Sequence, residues 1–367
     1  MPDSRSRAFT IVELLVVVAI ISLLIAILLP ALGRARDAAL VTQSQGNLRN
    51  LAAANATYGA DHNDRQFTAA RDDFGLAPQP ATQAGCQYYL SQIGCPPQQI
   101  AGWDVNGGLW GFWLGGGLCP ANYPGNCGNW FIYWPNEWSY ANGVFGYWRL
   151  PNYKAFNNYV GGRYYDPVFW APKDKIFSEQ AHPGFQYPGE FIPPSAIGGT
   201  SIRSTYVWSP AALWNPSILS RFGYQSPNAV PAAWRCPSQG QARYPELKSR
   251  MIEHYWLQNQ DGGPTNPSFA GGTAPWLFNQ GNNSAPNAMF YDGHIGVIGV
   301  SAVMDEDRRL KRQQAEVPGT QQRGLWHTGT PLNNGYYQNL SFDLLADTSF
   351  HVLTTDGILG RDALGAK

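Results

Sequence analysis

The chain has 367 residues, enough for one large domain or two ordinary ones. Its 25 basic and 25 acidic residues cancel, which argues against a protein that grips nucleic acid through excess positive charge. Charged residues are only 14%, aromatics are 14% with 14 Trp, and there are 40 Gly and 28 Pro. A disordered chain would show the opposite balance of charge and aromatics, so a folded, loop-rich chain of extracellular β type is expected.

The first element is a polar leader, residues 1–8, carrying Arg5 and Arg7. From Phe9 the chain turns apolar, and 14–29 contains one polar side chain, Ser22. As a helix, 9–32 is about 36 Å long, enough to span a hydrocarbon core of about 30 Å. The two Arg on the short flank predict that end in the cytoplasm. A buried core helix is rarely this long and apolar on all faces. A secretory signal peptide has a shorter apolar stretch and a small-x-small cleavage site, and would not run on into a helical pattern. A plain anchor leaves Glu13 unexplained, because a carboxylate in an apolar span costs up to about 2.5–3.5 kcal/mol at the membrane centre.

Ala8-Phe9-Thr10-Ile11-Val12-Glu13-Leu14 resembles the processing site of type IV prepilins and type II secretion pseudopilins. The resemblance covers roughly residues 1–65. It implies cleavage between Ala8 and Phe9 by the membrane prepilin peptidase, N-methylation of Phe9, and assembly through Phe9 and Glu13. Ala8 stands where that family nearly always has Gly; Ala is the next smallest side chain, so cleavage is expected. Cleavage exposes the Phe9 α-amine, a cation, one helical turn from the anion Glu13. Between packed helices, Glu13 of one subunit can neutralise the Phe9 amine of its neighbour.

The helix is expected to continue through 33–60. Val41, Leu48, Leu51, Asn55 and Tyr58 form a stripe at helical spacing, interrupted by Asn55 and read as packing on the chain's own head. Pro30 can kink the helix, Gly33 and Gly46 weaken it, and Gly59 with the polar run after it ends it. Asp61, Asn63 and Asp64 read as capping that end rather than holding a cation.

Residues 74–148 hold two charges, Asp104 and Glu137, and seven Trp, and read as short strands and ordered loops around an aromatic core. Exposed Trp and Tyr there would offer faces for stacking on sugar rings. Residues 201–208 read as a strand and 245–254 as one short helix. The turn at 234–238, with Cys236, resembles one in large pseudopilin-like proteins of planctomycete-type bacteria.

Asp292-Gly293-His294 between apolar flanks is a hairpin signal. With Phe290 it also resembles the C-terminal Phe-x-Asp-Gly-His element of that family; Asn282 stands where the family has a His. A metal shared by Asp292 and His294 is the less favoured reading. Asp305-Glu306-Asp307 lacks the spaced oxygens of an EF-hand and reads as a solvated helix face. Residues 335–355 are expected to add a strand or two.

The other His are scattered, and no P-loop, nucleophile elbow or zincin motif is present. With the head outside the cytoplasm, Cys86, Cys95, Cys119 and Cys127 are candidate disulfide cysteines. The local loops 86–95 and 119–127 are the simplest pairing, but spacing alone leaves connectivity open.

The expected fold is α+β, a long N-terminal helix packed on a loop-rich, mainly antiparallel β head. The expected divisions are 1–8 leader, 9–32 transmembrane helix, 33–60 its extracytoplasmic continuation and 61–367 head. The resemblance implies a structural subunit, not an enzyme, of a type II secretion pseudopilus or type IV pilus. It would sit in the inner membrane with its head extracytoplasmic. Its partners would be the prepilin peptidase, like subunits and other pseudopilins, and membrane lipid, with no cofactor, metal or nucleic acid. The alternative is a membrane-anchored glycan- or surface-binding protein that uses the pilin-type N-terminus for delivery.

Overall fold

The computed structural model describes residues 10–68, 98–103, 109–114, 129–134, 145–146, 148, 151–174, 177–185, 204–225, 230, 232–233, 235–253, 285–327 and 350–365. Its first element is α1 (Ile11–Asp61), 51 residues with Pro30 inside it and no break. Thr10 caps its start, and the last turn closes on the amide of His62. Asn63 and Asp64 then take left-handed φ of +54° and +63°, which reverses the chain.

Among the described residues, ten strands follow in three sheets. Strands β1 (Gln98–Trp103), β2 (Leu109–Leu114), β3 (Asn129–Trp134) and β4 (Phe145–Gly146) form one sheet in that order. Only β1 and β2 pair antiparallel in it; β2–β3 and β3–β4 are parallel. Strands β5 (Tyr206–Trp208), β8 (Ser249–Glu253), β9 (Asn287–Phe290) and β10 (Ile295–Val297) form an antiparallel sheet ordered β10-β9-β8-β5. Strands β6 (Leu219–Ser220) and β7 (Gly223–Tyr224) form a two-stranded hairpin. The described residues also form helices α2 (Lys154–Asn157), α3 (Phe177–Phe185), α4 (Pro210–Leu213) and α5 (Val300–Ala315). The fold is α+β, as the sequence predicts.

α1 lies across β9 and β10 and against the helical turn Pro167–Phe169. Its head-facing stripe is Ser44, Leu48, Leu51, Ala54, Asn55 and Gly59, with Val41 and Tyr58 half-buried at its edges. Asn55 interrupts the stripe: its Nδ2 bonds back to the Leu51 carbonyl at 2.7 Å, while its Oδ1 is buried without a hydrogen-bond partner among the described residues. Tyr58 lands in an aromatic nest, with ring centroids 5.6 Å from Phe67 and 5.4 Å from Tyr159. At Gly59 an added Cβ would run into Gln239 Nε2, so glycine permits the close approach.

Two readings of the sequence need correction, and a third lies mostly outside the described residues. Residues 245–254 were expected as a short helix; instead one turn closes on the Tyr244 carbonyl and β8 begins at Ser249. Residues 248–253 are buried on both faces, as a strand inside a sheet is. Asp305-Glu306-Asp307 does lie on a helix, α5, but only Asp305 is solvated. Asp307 is buried, bonded to Lys311 at 2.7 Å and to the Leu325 amide at 2.8 Å, and Glu306 accepts the Leu364 amide at 2.6 Å. Of 335–355, residues 335–349 lie outside the described residues, and the described remainder contributes a single bridge, Trp326 to Thr354.

β8 survives its charges through one buried cluster. Lys248 Nζ donates to Asp362 Oδ2 at 2.8 Å, Thr354 Oγ1 at 2.8 Å and Ser209 Oγ at 2.9 Å. Asp362 also accepts the Ser249 amide at 3.0 Å, the Ser249 hydroxyl at 2.6 Å and the His351 amide at 2.9 Å. Burial alone would raise the Asp362 carboxyl; the Lys248 charge and these donors reverse that and hold it at about 2. Burial, then the Lys248 charge, keep His351 neutral with a pKa of about 3. Asp362→Ala therefore leaves a buried ammonium unpaired, and denaturant unfolding should register a loss of about 3–5 kcal/mol. A loss below 1 kcal/mol would mean that Lys248 finds water in the folded state.

Candidate functional site

The site with the clearest geometry is the N-terminal helix itself. Residues 10–39 are exposed, and the helical part of that stretch is about 43 Å long. Ile11 is 83% exposed and the Leu, Ile and Val side chains after it are bare through Leu32. So α1 is long and apolar enough to cross a membrane. An apolar surface of this extent is not left to water by a folded protein, so lipid or other helices must cover it.

The polar end of that surface is built by Thr10 and Glu13. The Thr10 amide and hydroxyl both donate to Glu13 Oε2 at 2.8 Å, and the Glu13 amide donates to Thr10 Oγ1 at 3.3 Å. This capping box satisfies orphan donors of the first turn and sets the carboxylate at the positive end of the helix. Ala8 and Phe9 lie outside the described residues, as do Cys86, Cys95, Cys119 and Cys127. Pro30 supplies no amide to the ladder, and its own carbonyl lies 3.4 Å from Arg34 Nε.

Where α1 meets the head, polar groups meet in a dry interface that sequence reasoning missed. Ser44 is the first buried residue of the helix. Its hydroxyl donates to Glu253 Oε1 and lies 2.7 Å from the Tyr206 hydroxyl. Glu253 further accepts the Asn287 amide at 2.8 Å and Asn287 Nδ2 at 3.1 Å. Gln45 Nε2 reaches Asn287 Oδ1 at 3.2 Å, so two successive helix residues are bonded to β8 and β9. At the surface beside it, Lys173 pairs with Asp37 at 3.4 Å. The available signal was a carboxylate closing the apolar run Met251-Ile252, in a strand with no water-facing side.

Asp292, Gly293 and His294 form the turn between β9 and β10, with Gly293 at φ +86°. Asp292 Oδ1 accepts the His294 amide at 3.0 Å and lies 2.6 Å from His294 Nδ1, while the His294 ring stacks on Phe290 at 4.2 Å. Next to it, the Tyr291 hydroxyl bonds Gln66, just past the end of α1. The turn's polar atoms are thus engaged with each other. Among the described residues no three His, Cys, Asp or Glu side chains converge to hold a metal. Asp61 accepts the Tyr159 hydroxyl at 3.0 Å and Asp64 the Gly240 amide at 2.8 Å, so both tie the helix end to neighbouring loops. Cys236 is buried.

Residues 3–29 match the family model of the prokaryotic N-terminal methylation motif. No curated protein and no solved structure matches the chain. The chain therefore carries a prepilin-type N-terminus, joined to a head whose described strands are mainly antiparallel.

The dry interface has a pH consequence. Burial raises the Glu253 carboxyl above its ordinary value, and the bonds from Ser44 and Asn287 only partly oppose that. The folded state then binds the proton more tightly than the unfolded state. Its contribution is present below 4.5, the ordinary value, and is lost as pH rises through the raised pKa. Glu253→Gln keeps the shape and removes the titration. Melting temperatures of wild type should fall relative to Glu253→Gln as pH rises from 4.5; parallel curves would contradict the assignment.

Proposed function

We propose that the protein is a pilin-like structural subunit. In this reading prepilin peptidase cuts between Ala8 and Phe9, the mature α1 sits in the inner membrane, and like subunits pack helix against helix into a filament. That filament is a type II secretion pseudopilus or a type IV pilus. The observation that carries the reading is a bare apolar helical stretch from Ile11 to Leu32, about 33 Å long, with one carboxylate, Glu13, at its start, lying under the methylation motif. The exposed aliphatic surface is unstable in water, and the carboxylate is unstable in lipid. A bundle of such helices covers the first and pairs the second with the neighbour's Phe9 amine.

The role is structural rather than enzymatic. The one Ser-His-Asp grouping among the described residues, Ser249, His351 and Asp362, is sealed in the core, and its members hydrogen-bond inward. The described Trp side chains, 148, 170, 208, 214 and 326, are likewise buried and offer no face to a sugar. Of the seven Trp in 74–148 only the Trp148 side chain is described, so the reading of the other six lies outside the described residues.

Two measurements test the reading. Intact mass of the membrane-extracted protein should begin at Phe9, with or without one methyl group. A start near Arg36 would mean signal peptidase and would end the pilin reading. In the second, Glu13→Ala should reach the membrane at wild-type level, because removing a charge eases insertion. Its incorporation into sheared filaments or crosslinked oligomers should drop at least about tenfold, since the neighbour's amine is then unpaired at a cost of about 3–5 kcal/mol. Wild-type assembly by Glu13→Ala would reduce α1 to an anchor and favour the anchored binding protein.

A further inference from the structure

A cleft opens between the β6–β7 hairpin, Tyr244, helix α5, the loop 319–325 and the C-terminal segment 355–361. Its volume is about 470 Å³, within the range of small-ligand sites. Three of its features are left exposed or without a polar partner among the described residues. Phe222, at the hairpin tip, is 80% exposed and packs on nothing in the core. Thr355 is only 8% exposed, yet its hydroxyl has no hydrogen-bond partner among the described residues. A buried hydroxyl without a partner is uncommon and calls for one. Arg361 forms no ion pair among the described residues; its guanidinium lies over the Tyr244 ring, 5.0 Å from the centroid.

The surrounding charges give the sign of the missing group. Arg221 is committed along one edge, through Nε and Nη2, to Asp356 at 3.0 and 2.6 Å. Asp356 is in turn committed to the Arg221 amide at 2.8 Å. Arg243, its guanidinium 5.5 Å from the Tyr244 centroid, adds a further cation beside the cleft. Three guanidinium groups therefore stand against one carboxylate that is already engaged. One uncommitted cation in the wall fits a single carboxylate, whereas a polyphosphate would need several. The rest of the polar wall is neutral: Gln314, Thr320, Gln321 and Thr355 both donate and accept, as ring hydroxyls do. Phe222 supplies an apolar face for the C–H side of a ring.

We propose that this cleft binds an acidic saccharide unit, with Arg361 holding the carboxylate, Thr355 a ring hydroxyl and Phe222 stacking on the ring. The site belongs to the head and does not depend on whether the chain assembles into a filament.

The test uses the full chain in detergent and calorimetric titration with digalacturonate, with digalactose and acetate as comparison ligands. Digalacturonate should bind, with digalactose and acetate each at least about tenfold weaker, a difference of about 1.4 kcal/mol. Arg361→Gln should weaken digalacturonate by about tenfold and leave digalactose unchanged. Phe222→Ala should weaken both sugars without changing the melting temperature, because the side chain is outside the core. Absence of digalacturonate binding at millimolar concentration overturns the proposal. So does acetate binding as tightly as the disaccharide, or an affinity indifferent to Arg361→Gln.

Discussion

Glu253 is a carboxyl group with no water to solvate it, and its partners decide how the helix meets the head. Ser44 reaches it from α1 and Asn287 from β9, while the Tyr206 hydroxyl meets Ser44 from the head side. A small hydroxyl at 44 is what lets the α1 backbone approach β8 and β9 while still satisfying the acid. Once that contact is made, helical geometry places Leu48, Leu51 and Ala54 on the core at successive turns without further specification. N-terminal to it, no residue of α1 is buried. The same continuous helix thus serves two environments, and the Ser44–Glu253 contact marks the boundary between them.

The head treats its few charges in the same manner, by internalising them with partners. Lys248 and Asp362 neutralise each other at the centre and so fasten the last described segment to β8. Arg250, also buried, forms no ion pair with a carboxylate among the described residues. Its guanidinium lies 5.7 and 5.4 Å from the Trp208 and Tyr291 ring centroids and donates to Gln239 at 2.7 Å. Gln239 in turn donates to the Asn55 carbonyl at 3.1 Å. Strand β8 therefore reaches α1 twice, through Glu253 near one end and through Arg250 and Gln239 near the other. Each bond has low value in water and higher value in this dry setting, where an unmade one is costly.

What could be read from the sequence divides along that line. The apolar span, the stripe through Leu48 and Leu51, and the Asp292-Gly293 turn are local patterns, and the structure has the helix, the buried stripe and the turn at those places. Residues 245–254 misread as a helix because Lys248, Arg250 and Glu253 look like a solvated face until their partners are known. Those partners lie at 209, 239, 354, 362, 44 and 287, far away in the chain, and no periodicity encodes them. Asp307 misled for the same reason, its partner Leu325 being 18 residues on. The cleft was invisible because its walls come from separate segments of the chain.

The N-terminal carboxylate offers a last physical step. In the isolated chain Glu13 is already engaged, since Oε2 receives both Thr10 donors. No described donor reaches Oε1. A capping box therefore does more than start the helix. It fixes the Glu13 rotamer in advance, so a neighbour's amine would meet an oriented oxygen rather than order a free side chain. The side-chain entropy of Glu, up to about 1.5–2 kcal/mol, is already lost within the subunit. An interaction between subunits then keeps more of its electrostatic gain, which is what preorganisation contributes to association. In the proposed assembly Thr10 is thus a positioning residue for the pair that Glu13 makes with the neighbouring Phe9.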